Sequence, residues 1–456
     1  MRYTRRITGL STLLLALATP AAVQANPFEQ QLDNGLRIIV KEDHRAPTVV
    51  HMVWYRVGSM DETNGTTGVA HLLEHMMFKG TPSIGAGEFS RLVAAAGGRD
   101  NAFTSKDYTA YFQQMPKQKL EQMMQLEADR MRHLNLDPKE FTQEIRVVME
   151  ERRLRTDDQP QAKLHEQMNA VALQAHPYRV PVIGWMNDLE SMTVQDARDW
   201  YERWYVPNNA YVIIVGDVNH EQVFKLARQY YGALAARALP DRKPQGEPQQ
   251  AGIRRLSVKA PAEMPVVLMA YKVPVIRDVE RDTDPYALEM LSAILDGHEA
   301  ARFTKHLVRE QRLAASAGAG YDSTARGPGL FYLLGTPSEG KTPAELEVGL
   351  RAEIERIVKE GVTPEELSRA KAQLVARQTY KLDSMFAQAM EIGQLEAVGI
   401  PYRQANRMIE KLQTVSADQV RTVARQYFRD DQLTVGELDP QPLPKSPRTT
   451  ATMPRH

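Results

Sequence analysis

The chain has no cysteine in 456 residues. That absence excludes disulfides, thiol nucleophiles, iron–sulfur clusters and cysteine-ligated zinc together. It also lacks a charge surplus, with 57 basic side chains against 57 acidic ones. A nucleic-acid footprint needs a basic excess, so no nucleic-acid partner is expected. No apolar run reaches the ~20 residues that cross a bilayer. Histidine is scarce, 11 in all, and without cysteine any metal must sit on His, Asp or Glu. What remains is an ordinary globular composition, 43% apolar and 25% charged. At roughly 100–200 residues per domain, the length allows two or more cores.

The N-terminus reads as an export address. Arg2, Arg5 and Arg6 precede the apolar residues 13–17, then Pro20 and small residues up to Val23-Gln24-Ala25. A charged region, a short apolar region and a small-x-small site predict a signal peptide over residues 1–25, cut after Ala25. The mature chain is expected to be exported, in a bacterial periplasm, with no membrane span after cleavage.

Residues 237–252 hold Pro240, Pro244 and Pro248 without periodicity and read as a linker. The flanking segments, 26–236 and 253–439, echo each other. Each opens on strand-like alternation. Pro138 and Pro364 each start an acidic helix N-terminus, and Thr193-Val194 recurs as Thr414-Val415. Strands and helices mix without a βαβ rhythm, which predicts an α+β fold built from two homologous domains. Residues 440–456 read as a disordered tail.

The chemistry concentrates in Gly68-Val69-Ala70-His71-Leu72-Leu73-Glu74-His75-Met76-Met77-Phe78. At helical spacing Val69, Leu72, Leu73, Met76 and Met77 form an apolar stripe, and His71, Glu74 and His75 fall opposite it. Two imidazoles one turn apart can hold one zinc, and the glutamate between them can reach a water activated there. A catalytic zinc needs a third ligand, which must come from another element. On the predicted helix 140–155, Glu144 and Glu151 lie together at the edge of the stripe Phe141, Ile145, Val148 and Met149, whereas Glu150 points away. Helix geometry leaves Glu144 and Glu151 both open.

These motifs resemble the inverzincin peptidases of the pitrilysin/insulinase superfamily, in the compact branch that includes mitochondrial processing peptidase and its bacterial relatives. The resemblance spans nearly the whole mature chain and rests on H-x-x-E-H, the downstream glutamates and Asn101-Ala102-Phe103-Thr104. It implies two domains enclosing a clam-like chamber, and one Zn2+ per chain on His71, His75 and Glu151. Glu74 is implied as general base, and Glu144 as a residue that orients a histidine or assists the reaction. Asn101, Ala102 and Phe103 are implied to bind peptide backbone as an added strand. The second domain is implied to be degenerate, and it carries no H-x-x-E-H. There the family places an arginine and, seven residues on, a tyrosine aimed at the substrate carbonyl. Arg309 fits, but position 316 is Ser316, and Tyr321 is out of register. The expected function is a zinc endopeptidase acting on peptides or unfolded protein, paired with a homologous subunit that brings the arginine/tyrosine element. A homodimer is compatible with Tyr321 serving in cis. The competing reading is a non-catalytic structural or binding subunit of the same family.

Overall fold

The structure, a computed structural model, describes residues 26–443. The expected signal peptide lies outside the described residues. Six strands form the first sheet: β1 (Phe28–Gln31), β2 (Arg37–Glu42), β3 (Thr48–Tyr55), β4 (Arg99–Thr104), β5 (Thr109–Pro116) and β6 (Ala210–Gly216). The second sheet has β7 (Arg254–Pro261), β8 (Val266–Val273), β9 (Ala314–Gly320), β10 (Gly329–Pro337) and β11 (Leu433–Gln441). Their orders are β1-β2-β6-β3-β5-β4 and β7-β11-β8-β10-β9. Without β1, the two orders superimpose strand for strand. In each, one parallel pair (β2 with β6, β7 with β11) is followed by antiparallel neighbours. The duplicated α+β module inferred from sequence echoes is therefore present in the topology.

The inner strands read as continuous apolar runs because both faces of each sheet are covered. One face of the first sheet (Ile38, Val40, Val53, Val212, Ile214) packs on Leu72, Leu73 and Met76 of the helix Val69–Met76. The other face (Ile39, Met52, Trp54, Ile213) packs on Met385, Ala389 and Ile392, from the helix Met385–Ala397 of the second half. The second sheet is covered reciprocally. Val258, Leu268 and Ala270 pack on Leu164 and Met168 of the helix Pro160–Ala172, which belongs to the first half. The halves thus exchange a helix. Each half keeps a main core of its own residues on one face of its sheet, and takes a helix of the other half on the opposite face.

The exchange brings backbone close to side chains. A Cβ on Gly393 would lie 2.2 Å from the Trp54 ring, and the Tyr211 hydroxyl donates to the Gly393 carbonyl at 2.6 Å. Filling such a contact forces neighbours off their rotamers. Gly393→Val is expected to destabilise the chain by about 1–3 kcal/mol or more, read as a lowered urea midpoint.

The linker keeps its expected place, and the start of the tail shifts. Residues 237–252 form no helix or strand, yet the segment is pinned to the surface rather than free. The Glu247 carboxylate accepts the backbone N–H groups of Gln174, Ala175 and His176 at 2.8–3.0 Å and pairs with Lys272 at 2.7 Å. The tail begins later than residue 440, because Pro440 and Gln441 extend β11 alongside Ala260 and Pro261. Proline is tolerated there because β8 stops pairing with β11 at Leu438, which leaves one side of the strand open at Pro440. The tail beyond residue 443 lies outside the described residues.

Candidate metal centre

The helix Val69–Met76 is held at its start by two carboxylates, the half-buried Glu62 and the buried Asp188. Glu62 accepts the N–H groups of Gly68 and Ala70 at 2.8 and 2.9 Å, donors that every helix N-terminus leaves unpaired. Burial pushes the Glu62 carboxyl up to about 8, against those two bonds. Asp188 accepts from the Thr67 hydroxyl at 2.6 Å and from the N–H groups of Gly65 and Thr67. Gly68 has φ +91°, and a Cβ there would meet the Ile183 carbonyl at 2.5 Å. The entry to the helix is thereby set, and with it the direction of both imidazoles.

The second element is the helix Pro138–Arg152. Asp137 caps it, accepting from Lys139 N–H and Glu140 N–H, with Pro138 in the first turn. Phe141, Ile145 and Val148 anchor it in the first core. That packing turns Glu144 and Glu151 toward the histidines. His75 Nδ1 lies 2.8 Å from Glu144 Oε1, and His75 Nε2 lies 3.4 Å from Glu151 Oε2. His71 Nε2 lies 3.8 Å from Glu151 Oε1. One donor atom from each of His71, His75 and Glu151 falls within 4.8 Å of the others. Both Nε2 atoms and one carboxylate therefore face a common point.

The donor set fits a divalent cation. The carboxylate of Glu144 on His75 Nδ1 leaves Nε2 as the ligand atom, the arrangement that orients metal-bound histidines. Burial, with His75 and Arg155 nearby, lowers the His71 imidazole to about 3 and keeps it neutral. For His75, burial opposes protonation but the bond and charge of Glu144 prevail, so its pKa is raised. Glu144 is held down at about 2 by its bond to His75, against burial, and by Lys79 at 2.5 Å. Two imidazole nitrogens, one carboxylate and an open side match a catalytic zinc site.

Glu74 sits beside this cluster, with 9% of its surface exposed. Burial raises its carboxyl pKa, opposed by a bond from the Thr104 hydroxyl at 2.5 Å. Thr104 ends β4, and β4 is the outer strand of its sheet. Asn101, Ala102 and Phe103 lie along it. Ala102 N–H donates to Asn101 Oδ1 at 2.8 Å, so it points to the open edge and not into the ladder with β5. Phe103 turns to the Trp54 ring, 5.5 Å away.

The other expected residues are not brought here. Arg309 is exposed and pairs with the exposed Glu299 at 2.8 Å. No hydrogen bond or ion pair among the described residues joins it to the cluster. Ser316 is exposed on β9, the outer strand of the second sheet. Tyr321 stacks on Phe331 and donates to the Pro274 carbonyl at 2.5 Å, so its hydroxyl is already used within the second half.

Sequence reasoning placed Thr104 in the edge-strand motif without its bond to Glu74, and assigned no part to Lys79 or Arg155, which bond Glu144 and Glu151. Only Arg155 had a local signal, four residues after Glu151 on one helical path. Thr104 and Lys79 meet their partners through tertiary packing.

An H-x-x-E-H helix with a distant glutamate, on a duplicated α+β scaffold, defines the class of inverted-motif zinc peptidases. The chain belongs to the insulinase family, peptidase family M16: that family's description matches residues 37–184, and the Peptidase M16 inactive domain matches residues 191–374. The second match agrees with the absence of H-x-x-E-H from the second half. The chain is 32% identical to the zinc protease PqqE of Helicobacter pylori, covering 96% of this chain and 99% of the relative. It is 26% identical to the zinc protease YmxG of Bacillus subtilis, over 87% of this chain and 95% of that one. The crystal structure of a protease from Helicobacter pylori superposes with a TM-score of 0.85 at 30% identity, covering 91% of this chain and 99% of that chain. The first half of the periplasmic protease PqqL from Escherichia coli shares the fold, with a TM-score of 0.77 at 20% identity, covering 92% of this chain and 93% of that one. The relatives' names support a protease. No helix among the described residues is long and apolar enough to cross a membrane.

Proposed function

We propose that the chain is a zinc-dependent endopeptidase, exported to a bacterial periplasm, that cleaves extended peptides or unfolded protein segments. The observation that carries this reading is the convergence of His71, His75 and Glu151 on one point, with Glu74 beside it. A zinc ion held by those three side chains, one per chain, would supply Lewis acidity and bring a water near neutral pKa. Glu74 takes the proton of the attacking water and returns it to the leaving amine, the two roles of one general acid–base group. The raised pKa of Glu74 suits both, and Thr104 keeps the carboxylate aimed. Glu144 holds the His75 ring, and Lys79 holds Glu144. The open edge of β4, along Asn101, Ala102 and Phe103, takes the substrate backbone as an added strand, which favours extended chains over particular sequences. A purely structural subunit has no use for this donor set.

Among the described residues, neither of the two positions expected to offer a phenol to the oxyanion, 316 and 321, has a free one. Ser316 has no phenol and Tyr321 is committed to Pro274, so the reading includes a homologous partner subunit that supplies an arginine/tyrosine pair. A homodimer would repeat the same deficit.

The test is metal analysis of the purified full chain with a quenched-peptide assay. About one zinc per chain is expected, with cleavage that a chelator abolishes and added zinc restores. A chain that takes up no zinc would overturn the reading. The glutamates divide in the same assay. Glu151→Gln is expected to weaken zinc binding far more than Glu144→Gln, whose loss should fall within the ~10–100-fold typical of residues that orient a ligand. The reverse order would exchange their roles.

A further inference from the structure

The two halves enclose a cavity of about 810 Å3 that none of the metal-centre residues line. It begins where β4 ends. The turn after Thr104 carries Ser105, Lys106, Asp107 and Tyr108 into the cavity wall. The opposite wall is built by the second half, including Glu289, Asp296 and Tyr321.

Lys106 is unusual among the charged groups here. Its ammonium lies 4.9 Å from the centre of the Tyr178 ring and makes no hydrogen bond or ion pair among the described residues. Every carboxylate lining the cavity is engaged elsewhere. Asp107 accepts from the Tyr178 hydroxyl at 2.5 Å and from Arg326 N–H. Glu289 is bonded by Ser323, and Asp296 accepts Ala319 N–H at 3.1 Å. Asp322 accepts from Thr324, and Glu391 from Gln378 with Lys381 nearby. Burial draws the Lys106 ammonium down to about 8, against the charge of Asp107. A half-buried cation that no side chain bonds directly is costly unless something pairs with it.

The position supplies the occupant. Lys106 follows Thr104 by two residues, at most about 7 Å of chain, in the turn where β4 ends, and Thr104 touches the base Glu74. A peptide laid on β4 with its reacting bond beside Glu74 passes Lys106 two or three residues away. We propose that Lys106 is a specificity-determining residue that receives a substrate carboxylate in this cavity, either an acidic side chain or a free C-terminus. The proposal rests on the peptidase reading above.

The test uses the zinc-loaded full chain carrying Glu74→Gln, so that peptides bind without being cleaved. Fluorescent peptides are paired: Glu against Gln at the second and third positions on either side of the target bond, and C-terminal acid against amide. Fluorescence anisotropy is expected to show about ten- to a hundredfold tighter binding for the carboxylate member at one position, the worth of a charge-assisted bond. The Glu/Gln pairs and the acid/amide pair tell the two sources apart. Adding Lys106→Met should bring that ratio close to one, and Lys106→Arg should keep most of it. A ratio that survives Lys106→Met, or no carboxylate preference in the parent, overturns the proposal. Cleavage by the chain with Glu74 intact is scored separately. Its absence would count against the peptidase reading, while the binding ratios still decide Lys106.

Discussion

Replacing His71 and His75 together by alanine is expected to abolish zinc binding and peptide cleavage in one step. Two of three protein ligands would be gone, and Glu151 alone, already bonded by Arg155, cannot hold the ion. Glu74→Gln should behave differently. Its side chain lies beside the donors rather than among them, so the metal content should stay near one per chain. Cleavage should fall by roughly 10²–10⁴-fold, the usual contribution of a positioned general base. Metal analysis and initial rates on the same preparations separate the cases. Stoichiometric zinc in the double histidine variant would show that the ion sits elsewhere. Unchanged cleavage in Glu74→Gln would remove it from the reaction.

The second large effect concerns the absent phenol. The purified chain should bind zinc yet cleave peptides slowly. A homologous subunit that lacks H-x-x-E-H but carries a tyrosine seven residues after its arginine should raise the rate by about 10²–10³-fold, the worth of one oxyanion donor. Replacing that partner tyrosine by phenylalanine should cancel most of the gain without changing zinc content. Tyr321→Phe in this chain should leave the rate alone, because its hydroxyl bonds Pro274. Full activity of the isolated chain would rule out the need for a partner. A large loss in Tyr321→Phe would instead place that hydroxyl at the reaction, after a rearrangement that frees it from Pro274.

Much of this molecule is local, and what is local was legible. His71, Glu74 and His75 share a helical face because 3.6 residues make a turn, and the apolar stripe opposite them follows from the same period. Asp137 and Pro138 announce their helix by capping chemistry alone, and the unbroken apolar run of β6 announces a strand covered on both faces. The repeated prolines and threonines showed the duplication, and both sheets carry it. Periodicity could not choose between Glu144 and Glu151, because residues seven apart lie on one side of a helix. The crossing of two helices separates them, placing Glu151 before both Nε2 atoms and Glu144 behind His75 Nδ1.

Other features exist only in the folded chain. The exchange of the Pro160–Ala172 and Met385–Ala397 helices left no sign at the linker, since an apolar stripe does not state which sheet it will cover. The docking of Glu247 on three N–H groups, the Thr104 bond to Glu74 and the solitary ammonium of Lys106 all join residues that share no helical or strand period. A sequence determines which groups are available and how each short segment turns. Which distant groups meet is decided by the way two sheets and their borrowed helices fill space around one another.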